Sequence, residues 1–205
     1  MIFNEWFDEE RNLTKVRIPT ACCLSTIGTD EYPNARFVSL KGIVENQFIV
    51  TGTTTSRKGI EIDLNDKVAL TFWWTETERQ VRVQGIATQI SNELADKYFS
   101  ERNRDSKIVS IVSNQGQQLY DIDTLNKKYQ ETETIFSNQT LIRPENWGGY
   151  SIAPIRIEFL EFKPSRFHDR NLYQLTKGQW AKIKLQPFFV IWLLRTCVWL
   201  TSWKI

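Results

Sequence analysis

Basic residues in this chain stand inside apolar segments that alternate like β-strands, and this placement restricts the fold more than any other feature. In Arg36-Phe37-Val38-Ser39-Leu40-Lys41, Arg36, Val38 and Leu40 share one face of a strand while Phe37, Ser39 and Lys41 share the other. Arg79-Gln80-Val81-Arg82-Val83 repeats the pattern, and Ser56-Arg57-Lys58-Gly59 and Arg166-Phe167-His168-Asp169-Arg170 lie within or just after strand-like runs. Charges planted repeatedly in a sheet point to an anion held against it.

The rest of the chain fits an antiparallel protein. Phe3, Trp6 and Phe7 are spaced for an amphipathic helix over residues 3–12. Strands are expected at 20–27, 35–44, 47–51, 67–74 and 80–90, then at 150–163, 167–175 and 179–185, with turns at 28–33, 45–46 and 75–78. Ser56 is placed to cap a helix over 57–64, and Ser91 to cap one in which Leu94, Ala95, Tyr98 and Phe99 form a stripe. Further helices are expected near 106–112 and 122–136. Neither GxGxxG nor GxxxxGK[ST] occurs, so neither standard nucleotide fold is supported. The expected class is mainly β with peripheral helices, a closed or split β-barrel, formed as one domain over residues 1–187.

Charge narrows the partner. With 26 basic and 24 acidic side chains, the net charge is only +2. A general nucleic-acid binder would show a strongly basic face, so no nucleic acid is expected, and a small phosphorylated ligand suits the local clusters better. Cys22 and Cys23 project to opposite faces, Cys197 is distant, and a single histidine gives no metal spacing. The start, Met1-Ile2-Phe3-Asn4-Glu5-Trp6, lacks the pattern of a signal peptide, and the expected compartment is the cytoplasm. Residues 188–205 form an atypical apolar tail interrupted by Arg195. It is shorter than the roughly 20 apolar residues of a spanning helix, so a packed extra element or an aberrant end to the reading frame is expected rather than a membrane anchor.

Several side chains have a plausible chemistry. Arg57 and Lys58 open a helix, where free backbone N–H groups and the positive dipole end favour phosphate, although a solvated helix start looks the same. Arg36 and Lys41 have opposite parity and so address different faces, unless one spends its charge on a bridge across the sheet. Gln80 offers an amide to a partner with mixed donors and acceptors, such as a flavin edge or backbone. Tyr98, Arg102 and Ser106 would converge on one phosphate if Asn103 does not break the helix between them. His168, the single histidine, shares a strand face with Arg166.

Together these segments resemble the pyridoxamine 5′-phosphate oxidase family, from about residue 3 to Pro187. Residues 35–42, Ser56-Arg57-Lys58-Gly59, Arg79-Gln80-Val81-Arg82-Val83, Trp147-Gly148-Gly149 and Arg166-Phe167-His168-Asp169-Arg170 carry the resemblance in order. It implies a homodimeric split barrel with FMN at the subunit interface. It also implies oxidation of the 4′ carbon of pyridoxamine or pyridoxine 5′-phosphate, with O2 reduced to H2O2. FMN contacts would come from Arg36, Phe37, Val38, Ser39, Leu40, Lys41, Thr51, Gly52, Arg57, Lys58, Gln80, Gln115, Gly116, Leu160 and Arg170. Substrate contacts would come from Lys41, Tyr98, Arg102, Ser106, Arg166 and His168, with Arg166 and His168 beside the reacting carbon.

Some positions depart from the family pattern. Leu160 stands where a flavin-contacting Trp is usual, Gly52 and Gly116 replace hydroxyl residues, and the match begins almost at Met1, without the family's N-terminal covering segment. The same barrel could therefore oxidise another small molecule with FMN, as phenazine-pathway members do, or bind flavin without turnover.

Overall fold

Alternation along the strands builds one barrel. In the computed structural model, which describes residues 2–137 and 139–187, β1 (Ala21–Ile27), β2 (Pro33–Val44), β3 (Gln47–Thr53), β4 (Lys67–Trp74), β5 (Arg79–Gln89) and β6 (Trp147–Glu161) form an antiparallel sheet. Its order is β3-β2-β1-β4-β5-β6, and β6 pairs back onto β3 to close six strands into a barrel. β7 (Asp169–Thr176) and β8 (Gln179–Leu185) extend the sheet beyond β6. Closure removes the edges between β3 and β6 that an open sheet would leave. The mainly β split barrel expected from the sequence is the fold observed. The apolar tail expected at 188–205 lies outside the described residues.

The interior follows the period-two pattern. Val68, Leu70, Phe72 and Trp74 of β4 and Val81, Val83 and Ala87 of β5 all point inward and are buried. On β6 the inward set changes parity, from Tyr150 and Ile152 to Ile157 and Phe159. The pairing with β5 skips Ile155 there, because Gln84 faces Arg156 while Gly85 faces Pro154. This bulge bends β6 and allows one strand to serve both β3 and β5.

A second bulge matters more for function. Leu40 pairs with Val50 and Gly42 with Ile49, so Lys41 is the unpaired extra residue of β2. Inward positions change from Val38 and Leu40 before it to Ile43 after it. Simple alternation assumed an unbroken strand; the bulge sets the direction of Lys41 independently of Phe37 and Ser39.

Two helices close the barrel. α1 (Ile2–Leu13) inserts Phe3, fully buried, against Phe48, Phe72 and Trp74 with ring centroids 4.9–5.5 Å apart. The buried carboxylate of Glu10 accepts the backbone N–H of Thr77 at 2.9 Å and that of Glu76 at 3.3 Å, which fastens the β4–β5 turn. Arg79 lies 4.6 Å over the Trp6 ring and pairs with Glu9 and Glu161, so this basic residue is structural. α2 (Arg57–Leu64) packs beside β1 and contributes Ile62 to the core.

α3 (Asn92–Ser100), α4 (Arg104–Val112) and α5 (Ile122–Ile135) lie outside. Tyr98, Phe99 and Ile108 pack with Ile49, Leu141 and Trp147 in a separate cluster. Asn103 caps α4 by accepting the Ser106 N–H at 2.8 Å. It therefore ends the helical path that Tyr98, Arg102 and Ser106 needed to share one face. No helix among the described residues is long and apolar enough to cross a membrane.

Candidate active site

The outer face of β2 and β3 meets the α4 segment across a cleft of about 470 Å³. Ligand sites usually have about 300–1,000 Å³ of such space. Phe37, Val38, Ser39, Lys41, Thr51, Gly52, Lys58, Arg102 and Gln115 line it, so nine of the residues singled out in the sequence converge here. Ile18, Ala21, Thr53, Val109, Ser110 and Ser113 line it too and were not anticipated, and Trp147 of the Trp147-Gly148-Gly149 segment completes the wall. Ser110 was within reach of sequence reasoning, since it follows Ser106 by one helical turn on α4.

Lys58 reaches into the cleft from the first turn of α2. Its ammonium donates to Ser56 Oγ at 2.9 Å and to Gln115 Oε1 at 3.3 Å, with no carboxylate partner in either contact. Burial lowers its pKa, and the nearby Arg36 charge lowers it further. Gly52 makes room for it: a Cβ there would lie 3.1 Å from both Cε and Nζ of Lys58. The Ser56 hydroxyl does not cap α2 as its position suggested. It donates instead to Thr53 carbonyl oxygen at 2.6 Å, which leaves the first α2 N–H groups without a side-chain cap.

Lys41 lowers its pKa through burial and through Arg102, while Glu101 acts in the opposite direction. Arg102 lies 5.2 Å from the Trp147 ring and donates to Ser106 carbonyl oxygen at 3.1 Å. Its Nε and the Thr51 hydroxyl are buried without a protein partner. Orphaned buried donors in a cleft with three cations fit a polar, anionic ligand. Ser106 supplies only backbone to this arrangement, Tyr98 is buried in the outer cluster, and Leu40 belongs to the barrel core.

Gly116 and Arg57 line an adjoining cleft of about 340 Å³, which shares Gln115 with the first. Arg36 lies behind both. Its Nη2 donates to Glu61 Oε2 at 2.7 Å and its Nη1 to Thr26 Oγ1 at 2.5 Å. Arg36 thus forms a salt bridge, but to a carboxylate on α2 rather than across the sheet.

Glu61 is fully buried and accepts from Thr26, Asn34, Arg36 and Arg57 at 2.5–2.8 Å. Burial alone would raise its pKa, but these four donors hold it at about 2, below the ordinary 4.5. A depressed carboxyl stabilises the fold above its unfolded pKa and loses that contribution as pH falls through the folded one. Stability should therefore fall between about pH 4.5 and 2. Melting temperatures across that window should drop more steeply for the parent chain than for Glu61→Gln; parallel curves would contradict this.

The remaining predicted residues lie elsewhere on the chain. Gln80 pairs with Leu160, and Leu160 with Arg170, in one row across β5, β6 and β7. Arg170 donates to Glu158 Oε1 at 2.6 and 3.0 Å, and Arg82 reaches the same buried carboxylate at 3.0 Å. Arg166 and His168 occupy the β6–β7 turn. Arg166 is exposed with φ of +65°, an uncommon conformation for a residue with a side chain. His168 Nδ1 accepts the Lys163 N–H at 3.0 Å, so in the neutral ring the proton stays on Nε2, which is left to donate. The ring packs 4.8 Å from Phe162.

Trp147 lines the cleft, whereas Glu161 leads into the Arg166 turn, at the other end of the same strand. At ~3.3 Å per residue the path along β6 between them is on the order of 40 Å, and the bulge bends it. The cleft that holds Lys58 and the turn that holds Arg166 thus lie toward opposite ends of β6 within one chain.

A closed six-stranded barrel extended by two further strands, with a cationic cleft on its outer face, is a split barrel. A pyridoxamine 5′-phosphate oxidase-related, FMN binding protein from Nostoc punctiforme shares the fold, with TM-score 0.74 at 16% identity over 91% of this chain and 95% of that one. The chain belongs to the pyridoxamine 5′-phosphate oxidase family, oxidoreductase-type flavoenzymes: residues 9–136 match the family model "Pyridoxamine 5'-phosphate oxidase". Residues 147–187 match "Pyridoxine 5'-phosphate oxidase C-terminal dimerisation region".

Among its relatives is the pyridoxine/pyridoxamine 5′-phosphate oxidase of Leptospira biflexa, 37% identical over 91% of this chain and 87% of that protein. That of Rubrobacter xylanophilus is 39% identical over 90% and 85%. PhzG from Burkholderia lata, solved with tetrahydrophenazine-1-carboxylic acid, is similar at TM-score 0.85 and 26% identity over 91% of each chain.

Proposed function

We propose that the protein is an FMN-dependent oxidase of pyridoxamine or pyridoxine 5′-phosphate, acting as a homodimer. The observation that carries this reading is the cleft, in which Lys41, Lys58 and Arg102 meet beside buried donors without partners. A phosphate monoester carries about −1.5 to −2 charges at neutral pH, so two such ligands need several cations. Lys58, Arg57 and the α2 N-terminus would hold the FMN phosphate, with Ser39, Thr51 and Gln115 along the flavin. Lys41 and Arg102 would take the substrate phosphate.

FMN, when bound, would supply two-electron oxidation of the 4′ carbon, with O2 as the final acceptor and H2O2 as its product. The chain's own residues bind, orient and shield. Since one chain separates the cleft from the β6–β7 turn, the partner copy would bring Gln80, Leu160 and Arg170 against the flavin, and Arg166 and His168 against the substrate. The match of residues 147–187 to a dimerisation region supports that arrangement. Arg166 would orient the substrate, and His168 Nε2 would donate a hydrogen bond to it.

The similarity to PhzG, together with Leu160, Gly52 and Gly116, favours a second reading, oxidation of another small molecule with FMN. Purified protein separates them: a yellow protein releasing H2O2 with pyridoxamine 5′-phosphate supports the first reading. A yellow protein inert toward it supports the second, or a flavin-binding module without turnover. A colourless protein whose melting temperature FMN does not raise contradicts all three. Leu160→Trp, which restores an aromatic surface beside Gln80, should tighten FMN by about 3–10-fold, read by flavin fluorescence quenching; unchanged or weaker binding would show that Leu160 does not reach the flavin.

A further inference from the structure

Two of the arginines near the cleft are fastened to one point. Glu61 accepts Arg36 Nη2 on Oε2 and Arg57 Nε on Oε1, and each oxygen also takes one neutral donor, from Thr26 or Asn34. A fully buried carboxylate with four donors is rigidly placed. The elements around it are equally fixed, because Gly59 presses α2 onto the preceding loop: a Cβ there would lie 1.7 Å from the Thr54 carbonyl oxygen.

The anchoring leaves donors free. Arg36 uses Nη1 and Nη2, and Arg57 uses Nε and, toward Asp30 at 3.2 Å, Nη2. Arg36 Nη1 also donates to the Leu24 carbonyl at 3.4 Å; since a guanidinium has five N–H groups, each arginine keeps N–H groups outside these contacts. The charge of Arg36 is felt at Lys58, whose pKa it lowers. Arg57 lines the second cleft, whereas Glu61 and Arg36 line neither. The action of Glu61 is through the cations it holds.

We infer that Glu61 is a positioning residue for flavin phosphate, holding Arg36 and Arg57 oriented at the α2 N-terminus so that the site selects FMN over unphosphorylated riboflavin. This rests on the FMN reading above. An amide at Glu61 would turn an NH2 toward donors that now meet an oxygen, and it would remove the charge that keeps two neighbouring guanidiniums together. Reordering a released guanidinium on binding and losing a charge-assisted hydrogen bond both weaken the hold on an anion. The loss should therefore fall on the phosphate alone.

The test titrates flavin-free protein with FMN and, separately, with riboflavin, following flavin fluorescence, for the parent chain, Glu61→Gln and Thr26→Val. Glu61→Gln should weaken FMN by about 10-fold or more and riboflavin by less than about 2-fold. Thr26→Val, which removes one donor from Glu61 and one acceptor from Arg36, should shift the FMN-to-riboflavin ratio the same way by about 3-fold. Equal weakening of both flavins would reduce Glu61 to a structural residue, and tighter FMN would show that it only dilutes positive charge; either overturns the inference. If Glu61→Gln does not fold, the ratio for Thr26→Val decides. A parent chain that binds both flavins alike would instead defeat the underlying FMN-phosphate reading.

Discussion

A Lys58→Ala variant should emerge from purification almost free of flavin, with FMN affinity about 100-fold below that of the parent chain. The lysine is half-buried in the cleft, and its two recorded partners are neutral oxygens of Ser56 and Gln115. Its positive charge is thus not spent on a carboxylate, unlike those of Arg36, Arg79 and Arg170. A charge-assisted contact in such a place contributes about 1.5–3 kcal/mol, or roughly 10–100-fold in affinity. The variant removes no core atom, so its melting temperature without flavin should stay within a few degrees of the parent. Full flavin retention would remove Lys58 from the phosphate site.

Arg166→Ala should have the opposite profile. Turnover of pyridoxamine 5′-phosphate should fall by about 100-fold with flavin content nearly unchanged, because Arg166 stands far from the cleft on its own chain. Arg166 is exposed and its backbone is left-handed, a strained placement that alanine tolerates no better. The hydrogen bonds from Arg166 N–H to the Lys163 carbonyl and from Lys163 N–H to His168 Nδ1, both 3.0 Å, do not use the Arg166 side chain. Steady-state rates and the flavin absorbance ratio would check both parts. Loss of flavin without loss of turnover per flavin would exchange the roles given to Lys58 and Arg166.

Much of the fold was legible because the barrel obeys local rules. β4 is bounded at Lys67–Trp74 as its alternation indicates, and β8 at Gln179–Leu185. α2 is bounded as expected too, at Arg57–Leu64; α1, β1, β5 and α5 differ by one residue, and β2, β3, β6, β7 and α4 by two or three at one end or both. What escaped were features that depend on pairing rather than on the strand itself. The bulge at Lys41 exists because Val50 and Ile49 face Leu40 and Gly42, which one strand's sequence does not disclose.

The cleft is a similar case. Phe37, Lys58 and Arg102 come from distant segments, and only the family resemblance assembled them. Glu61 was nearer to hand: it follows Arg57 by four residues on a helix, a spacing that pairs opposite charges. Its burial beneath Arg36 was not foreseeable from that spacing. The division of the predicted set between the cleft and the β6–β7 turn was also invisible, because strand order within the closed sheet determines it.

The most direct measurement uses that division. Co-expressed, differently tagged Lys58→Ala and Arg166→Ala chains can be isolated as mixed dimers and assayed for H2O2 release with FMN and pyridoxamine 5′-phosphate. If each site joins the cleft of one copy to the turn of the other, a mixed dimer contains one intact site and one doubly damaged site, and about half the parental activity should return. Activity no higher than that of the single variants would place Lys58 and Arg166 in the same chain's site, or in none.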